Sequence, residues 1–520
     1  MNTVRAYIDH HAAESPDSVF LITPADENSA TEELTFADLK ARVDLIGRHL
    51  SEMGVEPQAK VAFLLNNGQW TTQLFLGVMA NRRVIVPINA VAGETQMQHV
   101  VDHCDANIVF VAPEFKSMIS ALVDRSERAI EIIEVDEKEG PQWPRVREQD
   151  AAEVSDNTVP VEGDQALLLY TSGSTGLPKG AILSQLAVIS GGRNVMLGHG
   201  LTNEDRALCV LPVYHINGAM VTVSAPLVSG SSVVMPRKFS VKLFWLWVAE
   251  YRCTWSSIVP TIIKYLLDRA DAEDFDFGNE DLLDQFRFAR SASAPLPAIV
   301  LRQWEETFYI PMIETLGLTE TAGTVASNPM PPDIRKPGSV GQAVGNEIEI
   351  GDESGELLPA ETVGELLIRG SNVLSEYYKN TDATDGAFVN GWFRTGDLGV
   401  KDKDGYLFIT GRLKELIIRG GENIAPREID DVLYKHESIL EAAAFGMDDE
   451  SYGQEVYACV ALRDGYRCTE EELMSYCEAG VGKVKMPKKI YFLEQLPKGP
   501  SGKILRLKLA DLIKADQQSA

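Results

Sequence analysis

The most informative segment of this chain is LLLYTSGSTGLPKG, residues 167–180. An apolar run, typical of a buried strand, leads into a loop of small hydroxyl residues and glycines that is followed by Lys179. Glycines and short side chains let backbone N–H groups come close to phosphate oxygens, and a lysine adds positive charge. The loop is not a GxxxxGK[ST] motif, because no lysine directly follows its second glycine, and it is not GxGxxG. The segment therefore predicts a phosphate-binding loop at the end of a strand.

Short β-branched runs alternate with helical patterns around this loop. Residues 35–53 place apolar side chains at helical spacing, and short apolar runs occupy residues 60–64, 84–88 and 107–112. This alternation predicts layered α/β sheets with parallel strands. The charged residues 125–156 are typical of a solvated surface excursion.

The character of the chain changes near residue 340. Residues 340–410 contain short strand-like runs and tight turns, which predict a β-rich subdomain. Gly405 and Gly411 precede a compact α/β segment. We therefore predict an α/β protein with a large N-terminal domain of layered sheets, residues 1–411, which includes the β-rich subdomain. A small α+β domain, residues 412–520, follows.

Composition argues against several classes of function. The 520 residues include 48 Lys and Arg against 76 Asp and Glu, a formal net charge of −28. This charge disfavours nucleic acid and anionic membrane surfaces as partners. No run approaches the ~20 apolar residues of a membrane span, and the N-terminal residues lack an apolar signal core. Six cysteines without CxxC spacing favour free thiols in the cytoplasm. The oligomeric state stays open, with a homodimer as one alternative.

Six further segments stand in the order found in the adenylate-forming superfamily. Residues 171–180 resemble the phosphate-loop signature of acyl-CoA synthetases, luciferases and peptide-synthetase adenylation domains. The accompanying segments are LPVYHING (211–218), SASAPL (291–296), TLGLTE (315–320), GWFRTGD (391–397), GRLKELIIRGGENI (411–424) and LPKGPSGKILR (496–506). The chain is identified as a member of this superfamily, and the GGENI form is most similar to AMP-forming acyl-CoA synthetases.

The resemblance implies a site for ATP and Mg²⁺. Its nucleotide contacts would come from Thr171, Ser172, Gly173, Ser174, Thr175, Gly176, Lys179, Ser293, Ala294, Glu314, Thr315, Leu316, Thr319, Asp397, Arg412 and Lys503. Glu320 and Thr175 would hold Mg²⁺, a hard cation that prefers oxygen ligands. The catalytic residues would be Lys503, Glu320, Thr175 and His215. Leu316 replaces the usual aromatic residue, and we expect it to offer adenine an apolar face.

The resemblance also implies an acyl pocket, a path for coenzyme A and a hinge. The acyl pocket would be lined by His215, Asn217, Gly218, Thr321, Ala322 and Gly323, and the path for coenzyme A by Gly420, Gly421, Glu422 and Asn423. The small C-terminal domain would be mobile and would swing about Lys414 between two half-reactions, bringing Lys503 into the site for the first.

We therefore expect an ATP-dependent carboxylate–CoA ligase. It would form an acyl-adenylate and pyrophosphate, and then an acyl-CoA and AMP. Asn217 stands where amino-acid-activating relatives have an aspartate, so we expect a short or polar carboxylic acid instead. The alternatives are a medium-chain fatty acyl-CoA ligase and a stand-alone adenylation enzyme that loads a carrier protein. For a small dianionic or sulfonated acid, the sequence offers no identified basic residue in the pocket.

Overall fold

The computed structural model describes residues 1–25, 30–144, 159–171, 177–270, 284–463, 465–499 and 504–519. Its strands are β1 Val19–Thr23, β2 Glu32–Thr35, β3 Lys60–Leu64, β4 Val84–Pro87, β5 Ala106–Val111, β6 Glu131–Asp136, β7 Gly140–Pro141, β8 Gln165–Thr171, β9 Lys179–Ser184, β10 Arg206–Leu208, β11 Ser232–Val234, β12 Trp255–Ile258, β13 Phe288–Ser291, β14 Met312–Leu318, β15 Gly323–Ser327, β16 Gln342–Ala343, β17 Glu347–Gly351, β18 Gly364–Arg369, β19 Glu376–Tyr377, β20 Phe388–Val389, β21 Trp392–Lys401, β22 Leu407–Arg412, β23 Ile417–Arg419, β24 Glu422–Ile424, β25 Ile439–Asp449, β26 Gly453–Leu462 and β27 Lys489–Phe492.

The helices connect these strands. They are α1 Val4–Glu14, α2 Phe36–Glu52, α3 Gln69–Ala80, α4 Glu94–His103, α5 Lys116–Asp124, α6 Gln185–His199, α7 Ala225–Ser229, α8 Phe244–Glu250, α9 Pro260–Ala270, α10 Ala298–Phe308, α11 Thr381–Asp385, α12 Pro426–Leu433, α13 Glu470–Lys485 and α14 Leu509–Ser519. A π-helix covers Asn217–Ser224, and 3-10 turns cover Pro113–Phe115, Thr319–Thr321, Leu413–Glu415 and Arg506–Lys508.

Two large mixed sheets form the body of the protein. One has the order β16-β15-β14-β13-β12-β10-β11-β1-β2, and the other has the order β19-β9-β8-β4-β3-β5-β6-β7. Their central strands are parallel, whereas the edges, including β14–β15 and β8–β9, are antiparallel. Helices α2, α3 and α6 contribute to a common core that also takes side chains from both sheets. Burial on both faces explains why the central strands read as continuous apolar runs.

Two smaller sheets complete the molecule. The antiparallel sheet β17-β18-β21-β20, with β22 paired to β21, confirms the prediction of a β-rich region. The sheet β24-β23-β26-β25, with β27 parallel to β26, belongs to a smaller C-terminal domain and has its own apolar core. The fold class predicted from the sequence is therefore confirmed. The boundary predicted between residues 411 and 412 coincides with the end of β22 and stays a prediction.

Local sequence signals placed most elements well, with one clear error. Helix α2 begins one residue after the predicted start, because Thr35 and Asp38 form a capping box. The prediction that residues 125–156 are only a surface excursion is wrong for β6, which pairs with β5 and buries Ile133 and Val135. Residues 145–156 of that stretch lie outside the described chain.

Candidate active site

Three charged side chains come together where β21 and β22 meet the turn after β14. Asp397 and Arg412 are register partners, and Arg412 Nε lies 2.6 Å from Asp397 Oδ1. Glu320 lies in the 3-10 turn Thr319–Thr321. Burial raises the pKa of the Glu320 carboxyl; Asp397 raises it further, and Arg412 opposes the shift. The charges of Asp397 and Arg412 therefore both act on the Glu320 carboxyl.

Tyr377 of β19 connects this cluster to the predicted phosphate loop. Its Oη donates a hydrogen bond to Glu320 Oε1 at 3.0 Å, and Lys179 Nζ lies 5.0 Å from the centre of its ring. Thr171 and Lys179 are register partners at the ends of β8 and β9. The two ends of the loop are therefore held together beside Glu320. The loop residues Ser172, Gly173, Ser174, Thr175 and Gly176 lie outside the described residues.

The two segments expected to hold adenine lie side by side. Ser291 of β13 and Glu314 of β14 are register partners, and Thr315 Oγ1 donates to Ser291 O at 3.1 Å. Burial raises the pKa of Glu314 to about 7, although its Oε2 accepts a hydrogen bond from Gly338 N at 3.0 Å. The site thus contains a carboxyl group that titrates near neutral pH.

The loop after β13 and the turn after β14 complete this part of the site. Ser293 is exposed and adopts a left-handed φ of 71°, and Ala294 follows it, half-buried. Leu316 is half-buried and packs partly against the main core, so its side chain is an apolar surface at the position expected for adenine. Thr319 opens the turn that carries Glu320.

His215 and Asn217 occupy the region expected to bind the acyl group. Burial lowers the pKa of His215 to about 4, so the imidazole is neutral at physiological pH. His215 Nε2 has no hydrogen-bond partner among the described residues. The Asn217 side chain is held, because its Oδ1 accepts from Ser257 Oγ at 2.7 Å. A Cβ on Gly218 would stand 2.2 Å from Pro212 O, so this close approach requires glycine.

Thr321, Ala322 and Gly323 form a tight turn under the same region. The Thr321 hydroxyl is occupied within the turn, since Oγ1 accepts from Leu318 N at 3.1 Å and lies 2.9 Å from Gly323 O. Ala322 has a φ of 48° and Gly323 a φ of 98°. Thr321 therefore shapes the turn, and its hydroxyl is not free to serve a ligand.

The residues expected on the coenzyme A side lie on a hairpin of the small domain. Gly420 and Gly421 have φ values of 59° and 85° and join β23 to β24, and Glu422 and Asn423 begin the second strand. Two consecutive positive φ values are those of a type I′ turn. All four residues are exposed. Their hydrogen bonds and register contacts, such as Gly420 N to Tyr452 O at 2.8 Å, lie within the small domain.

The last two predicted residues are Lys414, expected at the hinge, and Lys503, expected to be catalytic. Lys414 lies in the exposed 3-10 turn Leu413–Glu415, directly after β22. Lys503 lies outside the described residues. The structure thus brings Lys179, Glu320, Asp397 and Arg412 into one site. The hairpin of Gly420 and Gly421 instead bonds to Tyr452 of the small domain.

Sequence reasoning missed two residues of this region. Tyr377 had no motif to mark it, and only the pairing of β19 with β9 brings it to Glu320. Arg290 of β13 is 1% exposed, and its Nε has no partner among the described residues. Its signal in the sequence is a charged residue inside the otherwise uncharged strand Phe288–Ser291.

Two absences hold for the described part of the chain. No helix there is long and apolar enough to cross a membrane. Among the same residues, no group of three or more His, Cys, Asp or Glu side chains is arranged to hold a metal ion. A Mg²⁺ that accompanies ATP needs only one or two carboxylates besides phosphate oxygens, so Glu320 fits that donor set.

Two family models match the chain. The model of AMP-binding enzymes matches residues 8–378, and that of the C-terminal domain of AMP-binding enzymes matches residues 428–503. The sulfoacetate–CoA ligase of Cupriavidus necator is 42% identical over 98% of this chain and 97% of its own length. The oxalate–CoA ligase of Arabidopsis thaliana is 33% identical over 97% of both.

Two solved structures are similar to this chain over nearly its whole length. The ATP-bound structure of MatB from Rhodopseudomonas palustris has a TM-score of 0.86 at 27% identity, covering 98% of this chain and 99% of that chain. The O-succinylbenzoate–CoA synthetase MenE of Bacillus subtilis, bound to ATP and a magnesium ion, has a TM-score of 0.82 at 26% identity, covering 97% and 98%.

Proposed function

The chain belongs to the family of AMP-binding enzymes, and we propose that it joins a short, polar carboxylic acid to coenzyme A with cleavage of ATP to AMP and pyrophosphate. It is an acid–thiol ligase of the adenylate-forming type. The observation that carries the proposal is the cluster of Glu320, Asp397 and Arg412, which is linked through Tyr377 to Lys179 at the end of the phosphate loop.

The first half-reaction brings two anions together. A carboxylate oxygen of the acid attacks the α-phosphorus of ATP, the bond from that phosphorus to the bridging oxygen breaks, and pyrophosphate leaves with the electron pair. The barrier is largely electrostatic, so positioned cations lower it. We assign this role to Lys179, Arg412 and Lys503. Mg²⁺, when bound with Glu320 among its ligands, supplies further neutralisation of phosphate charge.

The second half-reaction uses the adenylate as an activated acyl group. The sulfur of coenzyme A attacks the acyl carbon, the bond from that carbon to the AMP oxygen breaks, and AMP leaves. We propose that the small domain turns about Lys414, which withdraws Lys503 and presents the Gly420–Gly421 hairpin. The division of the chain at residues 411/412 is part of this proposal.

The surroundings of Asn217 support a short acid. A Cβ on Gly191 of α6 would stand 2.1 Å from Ala322 O, and a Cβ on Gly192 would stand 2.8 Å from Ser224 O. Helix α6 therefore packs directly on both the turn and the π-helix that bound the predicted acyl pocket. This contact leaves little room for a long chain, and Asn217 adds a polar wall. The names of the two curated relatives, which specify sulfoacetate and oxalate, support the same choice.

The cellular setting is also part of the proposal. All six cysteines are free, and five of them are buried, which is consistent with a reducing compartment such as the cytoplasm. A homodimer remains an alternative to a monomer, and analytical ultracentrifugation distinguishes the two.

A panel of acids tests the proposed function. Coenzyme A-dependent release of AMP is measured with oxalate, sulfoacetate, a trimethylammonium-substituted short acid, octanoate and an aromatic acid. We expect the highest kcat/KM among the first three. A preference for octanoate or for the aromatic acid contradicts the proposal that the substrate is short and polar. Transfer of the acyl group to a carrier protein in place of coenzyme A contradicts the proposal that coenzyme A is the acceptor.

A further inference from the structure

Arg290 is a buried cation without a counterion among the described residues. It is 1% exposed, and its hydrogen bonds go only to neutral hydroxyls, from Nη1 to Thr324 Oγ1 at 3.0 Å and from Nη2 to Thr315 Oγ1 at 2.6 Å. Its Nε has no partner. Burial lowers its pKa to about 9, and no carboxylate opposes that effect, so the group is charged at neutral pH and incompletely solvated.

Two other arginines show what a satisfied guanidinium is like in this protein. Arg83 is also buried, but it donates to Val55 O, Asn81 O and Ser51 Oγ. Arg287, three residues before Arg290, pairs with Asp205 through Nη1 and Oδ1 at 2.5 Å. An isolated charge in the interior is unfavourable unless it is paired. Arg290 therefore differs from Arg83, whose Nε donates to Val55 O, and from Arg287, which has a carboxylate partner.

The position of Arg290 is next to the predicted acyl pocket. It is the register partner of Ser257, whose hydroxyl holds Asn217, and register partners on adjacent strands project to the same face of a sheet. Its partner Thr324 directly follows the turn Thr321–Gly323. Arg290 thus lies on the strand next to the residue that holds Asn217, and its guanidinium contacts Thr324 directly after the turn that bounds the predicted acyl pocket.

We propose that Arg290 binds a second anionic group on the substrate, so that the enzyme selects short acids carrying a distal sulfonate or carboxylate. The inference rests on the proposed function and specifies its substrate class. The free Nε donates to one oxygen of the distal group, and the Nη atoms exchange their threonine hydroxyls for, or share them with, the others. A guanidinium matches planar or tetrahedral oxyanions through paired N–H donors.

Matched acids that differ only in the distal charge test the proposal on the unaltered enzyme. Sulfoacetate is compared with methylsulfonylacetate, and oxalate with oxamate, by coenzyme A-dependent AMP release. We expect kcat/KM for the anionic member of at least one pair to exceed that of the neutral member by about 100-fold, the size expected for one charged hydrogen-bonded contact. Ratios near one in both pairs, with turnover of either acid, overturn the proposal while the proposed function stands.

Variants test whether Arg290 causes the preference for acids with a distal anionic group. Arg290→Met should reduce the anionic-to-neutral ratio to below about 10, and Arg290→Lys should give an intermediate ratio because it keeps a charge but loses the paired donors. Arg83→Met removes a buried guanidinium elsewhere and should lower stability without changing the ratio. If Arg290→Met does not fold, Arg290→Lys decides the question through the same ratio. An unchanged ratio in a folded Arg290 variant overturns the proposal. Failure of every acid to support AMP release defeats the proposed function, and this inference with it.

Discussion

Tyr377 makes two contacts that are chemically separable. Its hydroxyl donates to Glu320, while the face of its ring lies against Lys179. Tyr377→Phe removes the first contact and keeps the second. Because a hydrogen bond to a charged group contributes about 1.5–3 kcal/mol, we expect kcat/KM for MgATP in ATP–pyrophosphate exchange to fall by at least about 10-fold.

The adjacent tyrosine is the matched control. Tyr378 Oη donates to Asp105 Oδ2 at 2.5 Å, a contact that does not involve Glu320 or Lys179. Tyr378→Phe should therefore leave pyrophosphate exchange within about twofold of the unaltered enzyme, since surface-side changes away from the site have small effects. Equal losses in the two variants would contradict a specific role for the Tyr377 hydroxyl.

Glu314 makes stability depend on pH in a defined direction. Burial raises its folded-state pKa from 4.5 to about 7, so the folded protein holds a proton that the unfolded chain releases between these values. Its contribution to stability is full below pH 4.5 and is lost as pH rises through 7. Glu314→Gln keeps an acceptor for Gly338 N and removes the titration. We expect the variant to gain up to about 3 kcal/mol relative to the parent between pH 5 and pH 8.

Urea unfolding of the ligand-free protein at the two pH values measures this difference. Glu305, which raises the pKa of Glu314, and Arg427 and Arg335, which lower it, are present in both proteins, so the comparison isolates the change at residue 314. Parallel changes of the unfolding free energy with pH in the two proteins would show that Glu314 does not titrate in this range.

At the residue scale, the sequence motifs predicted the chemical character of the site better than they predicted which side chains contact each other. Asp397 and Arg412 stand in recognisable motifs and lie together in the site, because they are register partners on the adjacent antiparallel strands β21 and β22. Tyr377 and Arg290 depend on contacts with residues 57 and 34 positions away along the chain, and nothing local marks them. Thr321 stays a predicted lining residue of the acyl pocket, and its hydroxyl bonds within its own turn, which the motif did not indicate.

Among the elements, the β23–β24 hairpin carries a test of the coenzyme A side. Gly421 has a φ of 85°, and nothing lies within 4 Å of a Cβ built there, so Gly421→Ala adds backbone strain without a clash. The strain costs on the order of 1 kcal/mol. We expect the variant to raise KM for coenzyme A and slow thioester formation, while pyrophosphate exchange, which needs no thiol, continues.

Gly465 is the matched control, because a Cβ there would cause the same backbone strain away from the hairpin. Its φ is 80°, nothing lies within 4 Å of its Cβ position, and it belongs to the same small domain. Gly465→Ala should reduce stability by a similar amount and leave KM for coenzyme A unchanged. If the two variants behave alike in stopped-flow thioester formation, the hairpin has no specific role in thiol binding.

Elements were predictable from sequence where their signals are local. The capping box of α2 and the apolar runs of β3, β4 and β5 each specify an element without reference to the rest of the chain. Strand β6 was misread because it carries Glu131, Glu134 and Asp136 beside two buried residues, the pattern of a strand with only one buried face. Its pairing with β5 and its burial arise from tertiary packing, which composition does not reveal.

The whole molecule carries a net charge of −28, yet one segment near its C-terminus is basic. Between residues 483 and 508 there are eight Lys and Arg and one Glu. Among the described residues of this segment, the ion pairs lie within the small domain: Lys485 with Glu428, Lys488 with Asp449, Lys498 with Glu441, and Arg506 with Glu415 and Asp430. These pairs neutralise much of the positive charge of the segment within the small domain.

Arg506 shows what such pairing does for the segment that carries Lys503. Its guanidinium contacts Asp430 of α12 at 2.6 Å and Glu415, one residue after the proposed hinge, at 3.1 Å. The chain on the C-terminal side of Lys503 is therefore tied to both the small domain and the hinge. A rotation about Lys414 would carry the lysine with the domain as a unit.

We propose that Lys503 serves only the first half-reaction, which gives the proposed domain movement a direct test. Lys503→Ala should lower pyrophosphate exchange by at least about 100-fold, because one positioned cation is lost where two anions meet. Thioester formation from a supplied acyl-adenylate should fall by less than about threefold, because the lysine is withdrawn in that step. Lys498→Ala is the control: Lys498 lies in the same segment but pairs with Glu441, and its removal should affect neither half-reaction strongly. Undiminished pyrophosphate exchange in Lys503→Ala, or equal loss in both half-reactions, would contradict the proposed role of Lys503 in an alternation of domains.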